Sequence, residues 1–336
     1  MTGLPPENPV KMAFHRGLGG MPGLEIFARS GHSVSMTPDR IPGAAVLTAV
    51  LASATVLTAA ENPLLAPDAK IEKLASGYQF TEGPAADKQG NIYFTDQPND
   101  RIVRWDATTR TFADWMKPAG RANGMFFDHQ GNLIACADEK NELWSISPDK
   151  TVRVLLKDFQ GKLFNGPNDV WVRPDGGLYF TDPFYKRPYW NRGPSEQKGQ
   201  HVYFLPADHS APQRVAEDLK QPNGIVGTPD GKQLFVADIG AGKTYRYDIQ
   251  ADGTLAGKKL FCEMGSDGMT LDKEGNVYLT GKGVTVFNRE GSRIAHFEIP
   301  EGWTANVRFG GAKHDYLFIT AGTSIYGAQL KVQGAR

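Results

Sequence analysis

One short phrase recurs six times between residues 90 and 322 of this 336-residue chain. Each copy begins in a turn, usually at a glycine, and continues as an apolar and aromatic strand that often closes on Thr-Asp or Ala-Asp. The copies are GNIYFTD at Gly90, GNLIACAD at Gly131, GGLYFTD at Gly176, GKQLFVAD at Gly231, GNVYLTG at Gly275 and HDYLFITAG at His314. Repeats of about 40 to 55 residues, built from short strands and Gly/Asp turns, are typical of a β-propeller with one four-stranded sheet per repeat. The sequence therefore predicts an all-β fold, a six-bladed β-propeller with a central channel.

The repeats divide the chain into two regions. Residues 1–66 are interpreted as a leader, comprising a signal segment and a linker, and residues 67–336 as the propeller. The segment from Ile71 to Leu74 is predicted to pair beside the C-terminal strand at Ser324 to Leu330. Such pairing closes the ring and leaves no exposed sheet edge.

An uncharged run, residues 41–60, sets the leader apart from the repeats. It follows Arg40 and contains Ala52-Ser53-Ala54 and Thr58-Ala59-Ala60, small-residue patterns at which signal peptidases cut. We interpret residues 36–60 as a signal peptide, which would make the protein periplasmic or secreted; without that signal it would be cytoplasmic. Two alternatives remain: a buried or peripheral helix behind a tail, and an uncleaved membrane anchor, since about twenty apolar residues just span a bilayer.

The composition argues against several classes of function. Lys plus Arg and Asp plus Glu both number 37, so the formal net charge is zero and no basic excess favours nucleic acid. Cys136 and Cys262 have neither disulfide-framework nor zinc-site spacing, and Cys136 lies in an apolar strand that predicts a core position. His129 and His314 stand near turns and are predicted to be surface residues. The sequence leaves the oligomeric state open.

An oxygen-bearing side chain stands eight residues before the start of every copy. These residues are Glu82, Asn123, Asn168, Asn223, Asp267 and Asn306. Turn formation explains the aspartates that lie just before the glycines, but it explains this set poorly, because glutamate is not a turn-forming residue. Because side chains alternate along a strand and the offset is constant, the six side chains should lie at one height on the innermost strands. The spacing therefore predicts a ring of oxygen ligands that lines the channel.

The donor types of this ring favour a hard cation. Two carboxylates and four carboxamides, without cysteine or histidine, are the oxygen ligands that such cations take. One divalent cation is therefore expected in the channel. Ca²⁺ is favoured because its flexible coordination accepts ligands from separate blades, while Zn²⁺, Mn²⁺ or Mg²⁺ could substitute.

Four segments of the chain resemble the family of senescence marker protein, gluconolactonase and luciferin-regenerating enzyme, whose relatives include diisopropyl fluorophosphatase and the paraoxonases. They are FTEGPAADKQGNIYFTD, FNGPNDVWVRPDGGLYFTDP, QPNGIVGTPDGKQLFVAD and SDGMTLDKEGNVYLT, and the resemblance extends from about Leu65 to Leu330. It implies one metal ion in the channel, held by the Glu of TEGP, the Asn of GPND, the Asn of QPNG and the Asp of SDGM. In this sequence those metal ligands are Glu82, Asn168, Asn223 and Asp267.

The resemblance also implies an activity, the hydrolysis of a small-molecule lactone such as gluconolactone. In that reaction the metal would polarise the lactone carbonyl, and Asp267 would be the catalytic residue that activates or orients water. Two alternatives stay open. One is an organophosphate or aryl-ester hydrolase that uses the same metal site, and the other is a propeller that binds a partner protein without catalysis.

The segment DPFYKRPYW, residues 182–190, follows the third copy and lengthens the next repeat. Loops at the mouth of a propeller commonly shape substrate access, so Tyr185, Lys186 and Arg187 are candidate contacts, with plain loop packing as the alternative. The predicted substrate-binding residues are Asn123, Asn165, Tyr185 and Asn306.

Overall fold

A computed structural model describes residues 62–336 of the chain. The interpreted signal peptide, residues 36–60, lies outside the described residues, as does most of the leader, so both stay predictions. Among residues 62–336, no helix has the length and hydropathy of a membrane-spanning segment.

The described residues form six four-stranded antiparallel sheets, which confirms the predicted six-bladed β-propeller. Strand β1 (Glu72–Ser76) comes first. Blade 1 consists of β2 (Thr81–Ala86), β3 (Ile92–Asp96), β4 (Arg101–Trp105) and β5 (Phe112–Met116). Blade 2 consists of β6 (Ala122–Phe127), β7 (Leu133–Ala137), β8 (Glu142–Ile146) and β9 (Val152–Leu156), and a short hairpin of β10 (Asp158–Phe159) and β11 (Lys162–Leu163) follows it.

The remaining four blades repeat this arrangement. Blade 3 consists of β12 (Val170–Val172), β13 (Leu178–Asp182), β14 (His201–Leu205) and β15 (Gln213–Ala216). Blade 4 consists of β16 (Pro222–Gly227), β17 (Gln233–Asp238), β18 (Lys243–Ile249) and β19 (Leu255–Cys262). Blade 5 consists of β20 (Met269–Leu271), β21 (Val277–Gly281), β22 (Gly283–Phe287) and β23 (Arg293–Phe297). Blade 6 contains β24 (Thr304–Gly310), β25 (Tyr316–Ala321) and β26 (Ser324–Gln329). Two single turns of 3₁₀ helix, Gln97–Asn99 and Ile239–Ala241, lie in blades 1 and 4.

Blade 6 is completed by β1, which is the outermost strand of its sheet. Glu72 pairs with Gly327 and Ser76 pairs with Ser324, in antiparallel register with one irregularity between Lys73 and Ala75. The predicted closure of the ring is confirmed. The circle of blades is thereby joined through backbone hydrogen bonds between the two ends of the propeller.

Several turns between the first and second strands of a blade share one local structure. In each, an aspartate carboxylate accepts the backbone N–H and the side-chain N–H of the asparagine four residues later, while the glycine between them has a positive φ. The residues are Asp87, Gly90 and Asn91 in blade 1, Asp128, Gly131 and Asn132 in blade 2, and Asp272, Gly275 and Asn276 in blade 5. Glycine adopts this conformation without steric cost, so the Asp-x-x-Gly-Asn spacing fixes the hairpin.

The core lies between neighbouring blades, where the second strands are the most deeply buried. All five residues of β13 are buried, and Tyr179 stacks against Trp171 at 5.9 Å between ring centroids. Cys136 lies in β7 with no exposed surface, which confirms its predicted core position. His129 is exposed as predicted, but His314 is only 6% exposed, so that prediction was wrong. His314 is covered because its carbonyl accepts the N–H of Gly334 from the C-terminal segment, which crosses over the turn.

Candidate active site in the channel

The six predicted ring residues are all buried, and the innermost strands bring them together. Four of them lie within β2, β6, β16 and β24, whereas Asn168 and Asp267 precede β12 and β20 by two residues. Contacts between neighbours run around the whole circle. A Cβ on Gly83, which follows Glu82, would lie 1.9 Å from the carbonyl oxygen of Asn123. The glycines that follow ring residues are therefore required for the close approach of adjacent blades.

Hydrogen bonds link ring residues of different blades. Asn223 donates its amide N–H to Asp267 Oδ1 at 2.9 Å, across the boundary between blades 4 and 5. Asn306 donates to Glu82 Oε2 at 3.2 Å, across the point where blade 6 meets blade 1. The N–H of Gly83 donates to the same oxygen at 2.7 Å. These bonds orient both carboxylates of the ring.

The two carboxylates are electrostatically unfavourable in the absence of a cation. Burial raises the pKa of Glu82 well above its ordinary value, and the negative charge of Asp267 raises it further. Burial also raises the pKa of Asp267 to about 6, against the opposing effects of hydrogen bonds from Trp303 and Asn223 and of the positive charge of Arg187. Two buried carboxylates that repel each other are stabilised by a positive charge between them.

The carboxamides of the ring differ in what they bind. The side chains of Asn123 and Asn168 make no hydrogen bond to any residue in the described range 62–336. Asn223 uses its amide nitrogen twice, on Asp267 and on the Tyr185 hydroxyl at 2.8 Å, which leaves its oxygen available. Asn306 has both ends of its amide occupied, since its oxygen accepts the N–H of Val307 at 2.8 Å. Asn306 therefore holds the carboxylate of Glu82 in place.

The structure places Asn165 outside the ring. It has no exposed surface, and its amide donates to the carbonyls of Asp182 at 3.0 Å and Gly199 at 2.8 Å. Its oxygen accepts from the hydroxyl of Ser195. Asn165 therefore ties the start of blade 3 to the connection between β13 and β14, and it has no free group to offer a ligand in the channel.

The donor set fits a hard cation. Glu82, Asp267, Asn168 and Asn223 each have an oxygen that is free or only partly engaged, and such oxygens are ligands for Ca²⁺. Within the described part of the chain, no three side chains from His, Cys, Asp and Glu are grouped as a metal site. A cation in the channel would accordingly depend on amide oxygens as well as on the two carboxylates.

Comparison with known proteins decides the family. A family model described as the SMP-30/Gluconolactonase/LRE-like region matches residues 80–323. The chain belongs to this family. The match confirms the resemblance inferred from the four segments, and it includes five of the six blades together with two strands of the sixth, β24 and β25.

Three relatives of this SMP-30/gluconolactonase family member are between 26% and 28% identical to it. A gluconolactonase from Zymomonas mobilis is 26% identical over 295 residues, which cover 79% of this chain and 82% of that protein. The solved structure of a gluconolactonase from Xanthomonas campestris is 28% identical with a TM-score of 0.74, covering 80% of this chain and 95% of that structure. The diisopropyl-fluorophosphatase of Loligo vulgaris is 27% identical over 260 residues, covering 69% of this chain and 82% of that protein.

Sequence reasoning missed one residue that contacts the ring of this family member. Trp303, in the connection before β24, donates its indole N–H to Asp267 Oδ2 at 2.6 Å. No spacing rule leads to it, because it does not recur in the other blades. Its single signal is local: a tryptophan three residues before the ring position Asn306 has no counterpart in the other five copies.

Proposed function

We propose that this protein hydrolyses a sugar lactone such as gluconolactone, using one divalent cation, Ca²⁺ by preference, held in the channel. The observation that supports it most is the pair of buried carboxylates, Glu82 and Asp267, in a ring otherwise made of amides, where the negative charge of Asp267 raises the pKa of Glu82. A scaffold without a cation gains nothing from such a pair. Gluconolactonases among the relatives support the same activity.

In this proposal Glu82, Asn168, Asn223 and Asp267 hold the cation. When bound, the cation would polarise the lactone carbonyl and stabilise the negative charge that develops on its oxygen. Asn123 presents an amide with no partner among the described residues, so it is available to bind a hydroxyl group of the substrate.

Asp267 is the proposed catalytic residue, and its surroundings define what it can do. Its Oδ1 accepts from Asn223 and its Oδ2 accepts from Trp303, so the carboxylate is fixed in one orientation. Each oxygen retains a further lone pair, which can accept a proton from an attacking water molecule or hold that molecule in place. Tyr185 contacts this arrangement through its hydroxyl, which accepts the amide N–H of Asn223.

The deciding experiment is a pH-indicator assay of gluconolactone hydrolysis on purified protein. Activity should disappear after treatment with EDTA and return when Ca²⁺ is added back. The same assay with diisopropyl fluorophosphate and an aryl ester tests the second candidate, an organophosphate or aryl-ester hydrolase, which the relative from Loligo vulgaris supports. Calcium-dependent turnover of the phosphate ester but not of lactones would replace the first proposal by the second.

We also propose that residues 36–60 direct export, so that the mature protein begins near Thr55 or Glu61. Mass spectrometry of the protein from its native cells provides the test. Soluble peptides that span residues 50–62 would contradict export, because a cleaved signal cannot leave such peptides in the mature chain.

A further inference from the structure

One aspartate of the propeller departs from the role of its counterparts. The second strand of blades 1, 3 and 4 ends at an aspartate whose carboxylate accepts two successive backbone N–H groups just before the ring residue. The pairs are Asp96 with Gln79 and Phe80, Asp182 with Asn165 and Gly166, and Asp238 with Lys220 and Gln221. In blade 2 the corresponding residue is Asp138, and it accepts neither of the equivalent groups, those of Gly120 and Arg121. The N–H of Arg121 donates instead to Asp100 Oδ1, which also accepts the N–H of Ala119.

The carboxylate of Asp138 instead holds the inserted segment that follows β13. Asp138 Oδ2 accepts from Arg187 Nε at 2.9 Å and from the hydroxyl of Tyr189, and the backbone carbonyl of Asp138 accepts from Trp190 Nε1 at 2.7 Å. The side chain of Asp138 is only 3% exposed, and Gln97 donates to the same oxygen at 3.3 Å. Blade 2 therefore contributes a buried anion whose partners come mainly from a loop of blade 3.

Arg187 is held by one of its donors and keeps the others free. Only its Nε donates to a described residue; its two terminal nitrogens, which carry four N–H groups, donate to none within residues 62–336. Its side chain is 21% exposed and packs over the ring of Tyr185 at 5.2 Å, and the hydroxyl of Tyr185 contacts the ring residue Asn223. The terminal nitrogens of Arg187 are thus held near the ring of channel residues and remain accessible.

Arg192, which also lies between β13 and β14, uses its donors differently. Its terminal nitrogens donate to Asn141 Oδ1 at 2.8 Å and to the carbonyls of Phe164 at 2.7 Å and Asn165 at 2.8 Å. All of these acceptors are buried parts of the fold. Arg192 stabilises the segment, whereas Arg187 has donors that the fold does not use.

We infer that Arg187, oriented by Asp138, is a specificity-determining residue that donates hydrogen bonds to hydroxyl oxygens of a polyhydroxylated lactone, an inference that rests on the proposed function. The ion pair with Asp138 neutralises the charge of Arg187, so the free N–H groups are suited to neutral hydroxyl oxygens more than to a second anion. Asp138 is a positioning residue that acts through Arg187. The site therefore discriminates between a sugar lactone and a lactone without hydroxyl groups.

The test compares gluconolactone with δ-valerolactone, which has the same ring size and no hydroxyl group. Arg187→Met keeps an unbranched stem that reaches about as far as Nε and removes all of the guanidinium donors. It should raise the KM for gluconolactone about tenfold or more, the effect of one charged hydrogen bond, and should change the KM for δ-valerolactone less than about twofold. Arg187→Lys should give an intermediate loss. Arg192→Lys is the matched control, expected to lower the melting temperature without changing the ratio of the two KM values.

Asp138→Asn tests the positioning role. It should raise the KM for gluconolactone with kcat little changed, and the increase should vanish when it is introduced into Arg187→Met, because the two residues then act as one unit. An unchanged KM ratio in Arg187→Met, or an equal loss with both lactones, would overturn the inference. So would an Asp138→Asn effect that persists in the double variant, which would assign Asp138 a structural role only.

A second readout separates this inference from the proposed function. Gluconolactam, a ring analogue that keeps the hydroxyl groups and resists hydrolysis, can be titrated calorimetrically into the Ca²⁺-loaded protein. Weaker binding in Arg187→Met supports the inference even if the wild-type protein hydrolyses no lactone, an outcome that would remove only the proposed activity. Equal binding to wild type and Arg187→Met would overturn the recognition by Arg187 whatever the activity.

Discussion

Trp303 Nε1 lies 2.6 Å from Asp267 Oδ2 and donates its proton to that oxygen. The indole comes from the connection that leads into blade 6, whereas Asp267 stands at the start of blade 5. Asn223 of blade 4 binds the other oxygen of the same carboxylate. Three successive blades thus determine the orientation of the residue that we propose as catalytic.

Replacement of Trp303 by phenylalanine should lower kcat for lactone hydrolysis about tenfold, because a hydrogen bond to a charged group contributes about 1.5–3 kcal/mol. The affinity for Ca²⁺ should change little, since Trp303 provides no oxygen ligand. Steady-state kinetics at saturating Ca²⁺ measure the effect. Trp115→Phe, on the outer strand β5, is the control and should retain wild-type activity. A wild-type kcat in Trp303→Phe would show that this contact is dispensable.

Asp267→Asn keeps the size of the side chain and one oxygen while it removes the charge. It should weaken Ca²⁺ binding and lower kcat/KM by at least about a hundredfold, the usual contribution of a positioned general base. Asn123→Ala, at a ring position outside the proposed ligand set, should leave Ca²⁺ affinity within about threefold of wild type and raise KM, since neutral hydrogen bonds contribute about 1 kcal/mol. Calorimetric titration with Ca²⁺ distinguishes the two variants. Equal loss of Ca²⁺ from both would disprove our division of the ring into ligands and other residues.

Calcium should stabilise the protein by an amount that grows with pH. The folded-state pKa values of Glu82 and Asp267 are raised, the latter to about 6, so both groups retain protons in the metal-free fold at acidic pH. In the unfolded chain the pKa values of both groups are about 4. Above that pH, the metal-free fold therefore loses stability as the pH rises through about 6, whereas Ca²⁺ binds the ionised pair. At one hundred times the dissociation constant, Ca²⁺ should raise the melting temperature at pH 7.5 by about 5 °C or more.

Thermal unfolding with Ca²⁺ and with EDTA, repeated from pH 5 to pH 7.5, measures this dependence. The difference between the two melting temperatures should be smallest at pH 5. In Asp267→Asn, which has one carboxylate fewer, the difference should be small throughout. A difference in wild type that is constant with pH would mean that the two carboxylates do not bind the cation.

Closure of the ring can be weakened at Gly327 in β26. A Cβ at this position would lie 2.4 Å from the ring of Tyr316, which stacks on Trp105 and binds Glu72 of β1 through its hydroxyl at 2.7 Å. Gly327→Ala should therefore cost about 1–3 kcal/mol of stability, the usual range for overpacking. Chemical denaturation measures the loss. Gly193→Ala, where no atom lies within 4 Å of the added Cβ, should unfold like wild type.

The sequence predicted the features that repeat. The six copies of one strand phrase correspond to the six blades. The constant offset before each copy identifies the six ring residues that the innermost strands bring together. Periodic patterns predict local structure, because equivalent strands pack in the same way in each blade. Closure by β1 was predictable for a related reason, since an open ring would expose two sheet edges.

The features that occur once could not be predicted in this way. Asp138 and Arg187 are 49 residues apart, and Trp303 and Asp267 are 36 residues apart, with no repeat that relates either pair. The sequence also suggested a substrate contact at Asn165, whose amide donates to the backbone carbonyls of Asp182 and Gly199. Such contacts depend on how a single loop folds back over the blades, and a pattern common to six copies holds no information about it.

The pairing of β1 with β26 has a consequence for how a ribosome delivers this protein. β1 leaves the ribosome before any complete blade, yet its partner is the last strand to be made, so Glu72 meets Gly327 only when translation is almost finished. During synthesis the nascent chain therefore carries an unpaired strand at one end and an incomplete sheet at the other, both open to pairing with other chains. A message that stops short of Ser324 would leave that vulnerable state permanent, and the truncated product would be a substrate for chaperones and proteases.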